Sequence, residues 1–321
     1  MPASQGPPRP TAPRSTARAD APRSATRADL VRALLAKKQP LVMGGFYDGV
    51  SARLVAKAGF PLAFMGGYAV AASLLGEPDI GLLGQAEMAD AARRLCRLVP
   101  APVLVDADTG YGGIPNVVRT AELYAQAGAA GLFLEDQVWP KRCGHMAGKA
   151  VVEREEWLAK LRAVLRLRPS VDLFVVARTD ARGPLGLEEA ITRGRMAYDL
   201  GVDAVFVEAP QSVGELDAIA LAIPGPKVAN MVERGHTPLL GRGELHERGF
   251  DLIVFPVAAI LAQARAVEDV FSALRREGST AAILDRIFPF EDFNDLLGLE
   301  RHRANERAAV VDSVRRRRSR G

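Results

Sequence analysis

Cysteine, histidine and aromatic residues are scarce in this chain of 321 residues, which contains 2 Cys, 4 His and 6% aromatic residues. Its two cysteines, Cys96 and Cys143, are too few for a disulfide framework or a cysteine-rich zinc site, which fits a reducing compartment. Apolar runs stay well short of the roughly 18 residues that a membrane-spanning helix needs, and the N-terminus lacks an apolar signal core. We therefore expect a cytoplasmic protein that does not associate with membranes.

A basic surface on the fold is also lacking, although the net charge is +4. Residues 1–27 contain five Arg and one Asp, and residues 315–320 contain five more Arg. These ends carry a net +9, which leaves −5 for the rest of the chain. Binding in a nucleic-acid groove needs a basic stripe on the folded body, so we expect no nucleic-acid partner. We predict disordered tails at 1–27 and 311–321 around a folded domain of residues 28–310.

The chain does contain regularly spaced apolar runs, and 48% of its residues are hydrophobic. The eight runs are Pro40–Gly45, Pro61–Gly66, Pro102–Asp106, Gly131–Glu135, Leu173–Arg178, Ala204–Glu208, Lys227–Asn230 and Asp251–Phe255. Continuous runs indicate parallel strands buried on both faces, and segments such as Glu87–Leu98 and Leu187–Leu200 between them show helical spacing. Eight strand–helix units predict an α/β fold of the (β/α)8 TIM-barrel type rather than an open doubly wound sheet.

Acidic residues follow two neighbouring predicted strands. Asp106 and Asp108 come at the end of the third run and Glu135 at the end of the fourth. If the extended conformation continues, both aspartates point the same way, with Glu135 beside them. A purely oxygen-based set of ligands suits a hard cation such as Mg²⁺. The alternative is that Arg178 and Lys141 neutralise these carboxylates.

A second motif, Lys141-Arg142-Cys143-Gly144-His145, follows the Glu135 strand. Because basic residues flank Cys143, we expect an electropositive loop with a reactive thiol, the alternative being an exposed cysteine without a role. Gly144 and Gly148 give such a loop the freedom to close over a bound anion. Cys96 lies in a helical stretch and is expected to be a core residue.

These motifs and four others make the chain resemble the isocitrate lyase and phosphoenolpyruvate mutase superfamily, in particular its 2-methylisocitrate lyase and 2-alkylmalate lyase branch. The resemblance covers roughly residues 28–305 and includes the mutase branch to a lesser degree. The other matching stretches are Tyr47–Arg53, Gly76–Gly81, Ala177–Ala181 and Asn230–Glu233. The Lys-Arg-Cys-Gly-His motif together with the Asp-x-Asp pair is the most specific part.

The resemblance implies a role for each matching residue. Asp106, Asp108 and Glu135 correspond to the family's Mg²⁺ ligands, partly through water, and Mn²⁺ is a possible substitute. Cys143 corresponds to the catalytic acid. The expected substrate-binding residues are Gly66, Gly67, Asp79, Lys141, Gly144, Arg178, Glu208 and Asn230, with His145 beside them in a catalytic or binding role. The family also exchanges its last helix between subunits, so we expect Phe290–Ala309 to take part in a helix-swapped homodimer or a tetramer.

One departure concerns the base that takes the substrate's hydroxyl proton. Members of this group commonly have a tyrosine at the position that Phe64 occupies here, and this chain reads Gly66-Gly67-Tyr68 where Ser-Gly-Gly is frequent. Tyr47 is our candidate replacement, and Tyr68 and Tyr111 remain alternatives.

The expected reaction is a retro-aldol type cleavage of a small 2-hydroxy di- or tricarboxylate to an α-keto acid and a carboxylate. Either 2-methylisocitrate or a 2-alkylmalate would fit the resemblance. The alternatives are a phosphorylmutase acting on a phosphonate, an oxaloacetate hydrolase, and a non-catalytic barrel that serves as a scaffold.

Overall fold

The computed structural model describes residues 25–146 and 148–318. The strands are β1 Leu41–Phe46, β2 Leu62–Met65, β3 Val103–Asp106, β4 Gly131–Glu135, β5 Phe174–Thr179, β6 Ala204–Val207, β7 Lys227–Asn230 and β8 Leu252–Phe255. The helices are α1 Arg27–Leu35, α2 Gly49–Lys57, α3 Gly67–Leu75, α4 Gln85–Leu95, α5 Ile114–Gln126, α6 Arg154–Arg166, α7 Arg182–Leu185, α8 Leu187–Leu200, α9 Val213–Ala222, α10 Arg242–Glu247, α11 Ala258–Glu277, α12 Phe290–Leu297 and α13 Leu299–Arg318. Short 3₁₀ helices cover Cys96–Leu98 and Ala281–Arg286.

The eight strands form one closed parallel barrel in sequence order. Each strand pairs with the next, and β1 closes the circle by pairing with β8 through Leu41 and Leu252. The strands are buried almost throughout, as expected for short apolar runs enclosed by helices. The predicted (β/α)8 barrel is therefore confirmed.

Helix α1 packs against the amino-terminal end of the barrel. Its capping box, formed by Thr26 and Asp29, starts the helix, and its side chains Ala28 and Val31 join the apolar cluster that fills the barrel interior. On the polar face of the helix, the Arg32 guanidinium lies 3.1 Å from Asp172 and 2.9 Å from Asp203. Because this end is covered by α1, a small-molecule site is left to the carboxyl ends of the strands.

The predicted tails and domain boundary can be compared with the described residues only in part. Residues 1–24, most of the predicted N-terminal tail, lie outside the described residues. At the other end α13 continues to Arg318, so the predicted domain boundary at residue 310 falls inside this helix. Within the part of the chain that is described, no helix combines the length and apolar character needed to cross a membrane.

Candidate active site

A cavity of about 270 Å³ lies at the carboxyl ends of the barrel strands. Its polar part is lined by Asp79, Asp106, Cys143, His145, Arg178, Glu208 and Asn230. Its apolar part is lined by Phe64, Phe133, Phe206, Val254, Pro256, Val257 and Leu261. Gly66 and Gly144 also line it, so nine of the fourteen predicted site residues share one cavity. Polar and apolar surfaces thus face each other across a space that fits a small carboxylic acid.

Four more predicted residues lie next to this lining. Lys141 contacts Asp79 and Asp108, and Glu135 contacts Arg178. The Gly67 N–H donates to Asp106 Oδ2 at 3.2 Å, so this amide contacts a carboxylate of the site.

Tyr47 is the predicted residue that does not reach the cavity. Its hydroxyl donates to Gln263, and its ring lines a separate groove together with Asp48, Val70 and Ser73. The catalytic role predicted for Tyr47 is therefore not supported by its position. Tyr111 is also occupied elsewhere, with its hydroxyl 3.3 Å from that of Tyr124.

Asp106 and Asp108 meet beside Gly67, although by a different route from the predicted one. Strand β3 ends at Asp106, and Asp108 has a φ of 46°, so the chain does not stay extended. A Cβ at Gly67 would lie 3.2 Å from Asp106 Oδ2 and 3.5 Å from Asp108 Oδ1. The turn therefore brings the two carboxylates to one point, which a side chain at position 67 would crowd.

Lys141 is a buried cation between two carboxylates. Its ammonium lies 2.6 Å from Asp79 Oδ1 and 2.7 Å from Asp108 Oδ1. Burial raises the pKa of Asp108 to about 7, with Asp106 adding to the effect and Lys141 opposing it. The alternative pairing of the carboxylates with Lys141 and Arg178 is thus present, but two cations face the four carboxylates of Asp79, Asp106, Asp108 and Glu135.

The buried oxygens test whether these residues suit a divalent cation. Among the described residues, no three His, Cys, Asp or Glu side chains lie close enough together to ligate one ion directly. However, Glu135 Oε1 is buried without a hydrogen-bond donor, while Asp108 Oδ1 and Glu135 Oε2 have only their ion pairs with Lys141 and Arg178. Because Mg²⁺ keeps several waters and needs only one or two direct carboxylates, the aspartate pair fits it, with Glu135 reached through water. The cation would also offset the excess negative charge.

The residues 141–146, which we call the cysteine loop, cover one side of the cavity. The Cys143 N–H donates to the Asp79 carbonyl at 3.0 Å. Burial raises the pKa of the Cys143 thiol to about 11, and the carboxylates of Asp79 and Glu208 add to this shift. Of the basic residues that flank the thiol, Lys141 is paired with Asp79 and Asp108, so burial and the nearby carboxylates outweigh the predicted electropositive character at the thiol. The thiol stays protonated, which suits a proton donor better than a nucleophile.

Glu208 organises the opposite side of the polar cavity. Its Oε1 lies 3.2 Å from His145 Nε2, and Asn230 Nδ2 donates to both of its oxygens at 3.3 Å. Burial alone would raise the pKa of Glu208, but Arg178 and His145 outweigh it and lower that pKa to about 2. A Cβ at Gly144 would overlap the Glu208 carboxylate, so glycine lets the cysteine loop lie against it.

Arg178 is held by partners on two sides. Its Nη1 lies 3.2 Å from Glu135 Oε2, its Nε lies 2.9 Å from Asp180 Oδ2, and its guanidinium lies 5.4 Å from the centre of the Phe206 ring. Sequence reasoning gave Asp180 no role, although it belongs to the stretch that follows β5. Lys149, 2.9 Å from Asp180 Oδ1, was missed as well, since nothing in its sequence position links it to this strand end.

Three phenylalanines form the apolar floor. Phe64 and Phe133 meet edge to face with ring centres 4.8 Å apart, and Phe133 and Phe206 do so at 6.0 Å. Sequence reasoning noted Phe64 only as a departure from a tyrosine and missed the other two. Their inward position within β4 and β6 would have been the signal.

A family model described as Phosphoenolpyruvate phosphomutase matches residues 31–275. The chain is 41% identical to 2,3-dimethylmalate lyase of Eubacterium barkeri, over 86% of this chain and 96% of the relative. It is 41% identical to 2-methylisocitrate lyase of Halalkalibacterium halodurans, over 78% and 83%. A solved oxaloacetate acetylhydrolase in complex with the inhibitor 3,3-difluorooxalacetate has a TM-score of 0.84 and 37% identity, over 88% of this chain and 97% of that chain.

The matches span the barrel and the strand ends that build the cavity. Family model and relatives agree with the resemblance carried by the Asp-x-Asp and Lys-Arg-Cys-Gly-His motifs. The chain therefore belongs to the phosphoenolpyruvate mutase and isocitrate lyase superfamily of carbon–carbon lyases and mutases.

Proposed function

We propose that the protein is a Mg²⁺-dependent carbon–carbon lyase that cleaves a 2-hydroxy dicarboxylate to an α-keto acid and a second carboxylate. The observation that carries the proposal is that a protonated thiol, Cys143, lines the same cavity as Arg178 and Asp106. Cleavage next to a carboxylate leaves the electron pair on carbon, and that carbon needs a proton donor. A partly buried thiol with a raised pKa meets this need.

Asp106 and Asp108 are the residues that would hold Mg²⁺, with Glu135 acting through water; Mn²⁺ is the expected substitute. When bound, the ion stabilises negative charge on the substrate's hydroxyl and carboxylate oxygens. Lys141 keeps Asp108 and Asp79 in place by its two short contacts. Arg178, fixed by Glu135 and Asp180, faces the cavity as the cation for a substrate carboxylate.

Tyr68 replaces Tyr47 in our proposal as the tyrosine that handles the hydroxyl proton. It stands in the first turn of α3 and lines the cavity, while Phe64 offers no hydroxyl. Burial raises the pKa of Tyr68, so its phenol is protonated at neutral pH. A protonated phenol takes a proton only as it gives up its own, which it can pass to solvent because the residue is partly exposed.

The proposed reaction joins the cleavage of one carbon–carbon bond to proton transfers by Tyr68 and Cys143. The 2-hydroxyl proton passes through Tyr68 Oη, a carbonyl forms at C2, and the C2–C3 bond breaks with its electron pair on C3. The Cys143 thiol then gives its proton to C3, and the thiolate recovers a proton from solvent. Glu208 and Asn230 keep His145 and the cysteine loop against the substrate.

The lining favours a dicarboxylate with an apolar branch over a tricarboxylate. Among the described residues that line the cavity, Arg178 is the one Arg or Lys side chain, whereas four carboxylates line it: Asp79, Asp106, Glu208 and Glu233. A third substrate carboxylate would find no further cation at the phenylalanine floor, where an alkyl group gains from leaving water. We therefore propose a 2-alkylmalate in preference to 2-methylisocitrate.

Product analysis on four substrates tests the proposal. Purified protein with Mg²⁺ is given 2,3-dimethylmalate, 2-methylisocitrate, oxaloacetate or phosphonopyruvate, and products are identified by NMR. We expect keto acid from the alkylmalate at the highest kcat/KM. Hydrolysis of oxaloacetate or conversion of the phosphonate as the main activity would replace the lyase proposal by the hydrolase or mutase. No turnover of any substrate would favour the non-catalytic scaffold.

We also propose that the protein forms a homo-oligomer through its C-terminal helices. Large apolar side chains are exposed there, with Phe271 65%, Leu284 63% and Phe290 81% accessible. Such a group of exposed apolar side chains is typical of a surface that a second copy covers. Light scattering should give a dimer or tetramer, and Phe290→Ser should shift it towards smaller species. A native protein that stays monomeric at high concentration would contradict this proposal.

A further inference from the structure

The exposed residue His236, in the segment between β7 and α10, contacts the cysteine loop from across the cavity mouth. Its backbone N–H donates to His145 Nδ1 at 3.0 Å, and its Nε2 lies 3.0 Å from the His145 carbonyl oxygen. The two imidazole rings stack with centres 5.8 Å apart and an interplanar angle of 9°. One residue thus meets both the side chain and the backbone of His145.

The neighbouring residue Gly235 makes this approach possible. A Cβ at position 235 would lie 2.6 Å from His145 Nδ1 and 2.9 Å from its Cε1. Real Cβ atoms do not come so close, so a side chain there would push the ring away. The segment is therefore shaped to receive His145.

The bond to Nδ1 also determines where the His145 ring carries its proton. Because Nδ1 accepts from the His236 N–H, the ring proton lies on Nε2. Nε2 is the atom that lies 3.2 Å from Glu208 Oε1, on the cavity side. The contact with His236 therefore decides which nitrogen His145 presents towards Glu208 and the substrate.

The other contacts of the cysteine loop hold different parts of it. Gln137 binds both the N–H and the carbonyl of Arg142, and the Cys143 N–H donates to Asp79. These partners precede or adjoin the loop on the β2–β4 side of the barrel mouth. His236 joins the loop to the β7 side, where Asn230 and Val232 line the cavity.

We infer that His236 is a positioning residue that docks the cysteine loop over the cavity and orients His145 with its Nε2 towards Glu208. It does not touch the reacting atoms. The docking follows from the contacts themselves, whereas the effect on turnover rests on the proposed lyase function. Removing the imidazole takes away the bond to the His145 carbonyl and the ring stacking.

The test compares His236→Ala, His236→Gln and the control Leu239→Ala, which changes an exposed side chain on the same segment. Iodoacetamide labelling of Cys143 in substrate-free protein is followed by mass spectrometry, and melting temperatures are recorded. We expect labelling about tenfold faster in His236→Ala, the effect of losing one hydrogen bond and the ring stacking. His236→Gln, whose amide can donate to the carbonyl, should restore most of the protection, and Leu239→Ala should label like the native protein.

Turnover provides the second measurement. With the substrate that the native enzyme cleaves, His236→Ala should raise KM about tenfold, with a smaller change in kcat, because the loop docks less often. Equal labelling rates in His236→Ala and native protein would overturn the inference, as would equally fast labelling in Leu239→Ala or no rescue by glutamine. Protection by His236 in a protein without lyase activity would refute the proposed function and leave the docking role standing.

Discussion

The ammonium nitrogen of Lys141 lies 2.7 Å from Oδ1 of Asp108, and both side chains are almost fully buried. This contact ties the start of the cysteine loop to the turn after β3, so loop and carboxylates form one structure. It also pairs the charge of Lys141, two residues before Cys143, with a carboxylate. One lysine does not neutralise the surrounding carboxylates, and this imbalance leads to the first prediction.

Chelation should abolish turnover, and added Mg²⁺ or Mn²⁺ should restore it. The ion would bind near Asp106 and Asp108 with several waters, while the apolar barrel core holds the fold without it. Activity before and after EDTA treatment measures the first effect, and the melting temperature should change little.

Asp108→Asn should lose Mg²⁺ binding in calorimetry. The control Asp90→Asn changes an exposed aspartate paired with Arg93 and Arg94 and should bind Mg²⁺ normally. Full activity after exhaustive chelation would refute the metal assignment.

Cys143→Ser should reduce keto-acid release by about 100-fold or more. Serine keeps the size of the side chain, but its hydroxyl is a much weaker acid than a thiol. Binding should survive, since Arg178 and the metal hold the substrate, and competition by a dicarboxylate inhibitor measures this. Cys96→Ala is the matched control because Cys96 is buried in the core away from the cavity. Undiminished keto-acid release from Cys143→Ser would exclude the thiol as the acid.

The barrel could be predicted from the sequence because each strand is short, apolar and bounded by turn residues. Gly131–Glu135, Lys227–Asn230 and helix Leu187–Leu200 have the predicted bounds, and the ends of the other strands shift by at most one residue. The link between a short apolar run and a buried parallel strand is strong here, since a strand enclosed by helices on one face and core on the other tolerates few polar residues. Nine cavity residues followed from the same rule and from the family motifs.

Contacts between distant parts of the chain could not be predicted. His145 and His236 are 91 positions apart, and the pairing of Lys141 with Asp79 spans 62. The contact of Tyr47 could not be predicted for a related reason, because its position at the end of β1 does not reveal that its hydroxyl turns to Gln263 on α11. The environment of the Cys143 thiol also depends on distant groups. The basic residues beside it in the sequence predict a reactive thiol, whereas burial and the carboxylates of Asp79 and Glu208 raise its pKa.

Alkylation of Cys143 should be slow near neutral pH and should accelerate as the pH rises. Burial raises the thiol pKa to about 11, so the protonated form persists at pH values where an ordinary cysteine is already ionised. The thiolate is the reactive species, and its fraction should rise about tenfold per pH unit between about pH 7 and 10. Iodoacetamide rates followed by mass spectrometry measure this dependence. A plateau already reached near pH 8 would show a thiol of ordinary or lowered pKa.

Tyr68→Phe should lower kcat by about 100-fold while the protein keeps its fold and its affinity for Mg²⁺. The phenol hydroxyl is the group that we propose to carry the substrate's hydroxyl proton, and phenylalanine preserves the ring without it. Tyr47→Phe is the control, because the structure places that hydroxyl against Gln263, outside the cavity, and kcat should stay close to native.

Phe64→Tyr in the Tyr68→Phe background should recover part of the activity, since it returns a hydroxyl to the cavity floor. Steady-state kinetics on the preferred substrate measure all three variants. If Tyr68→Phe turns over at the native rate, the proton leaves by another group and the relay is wrong. If Tyr47→Phe is the slow variant, Tyr47 rather than Tyr68 handles the proton.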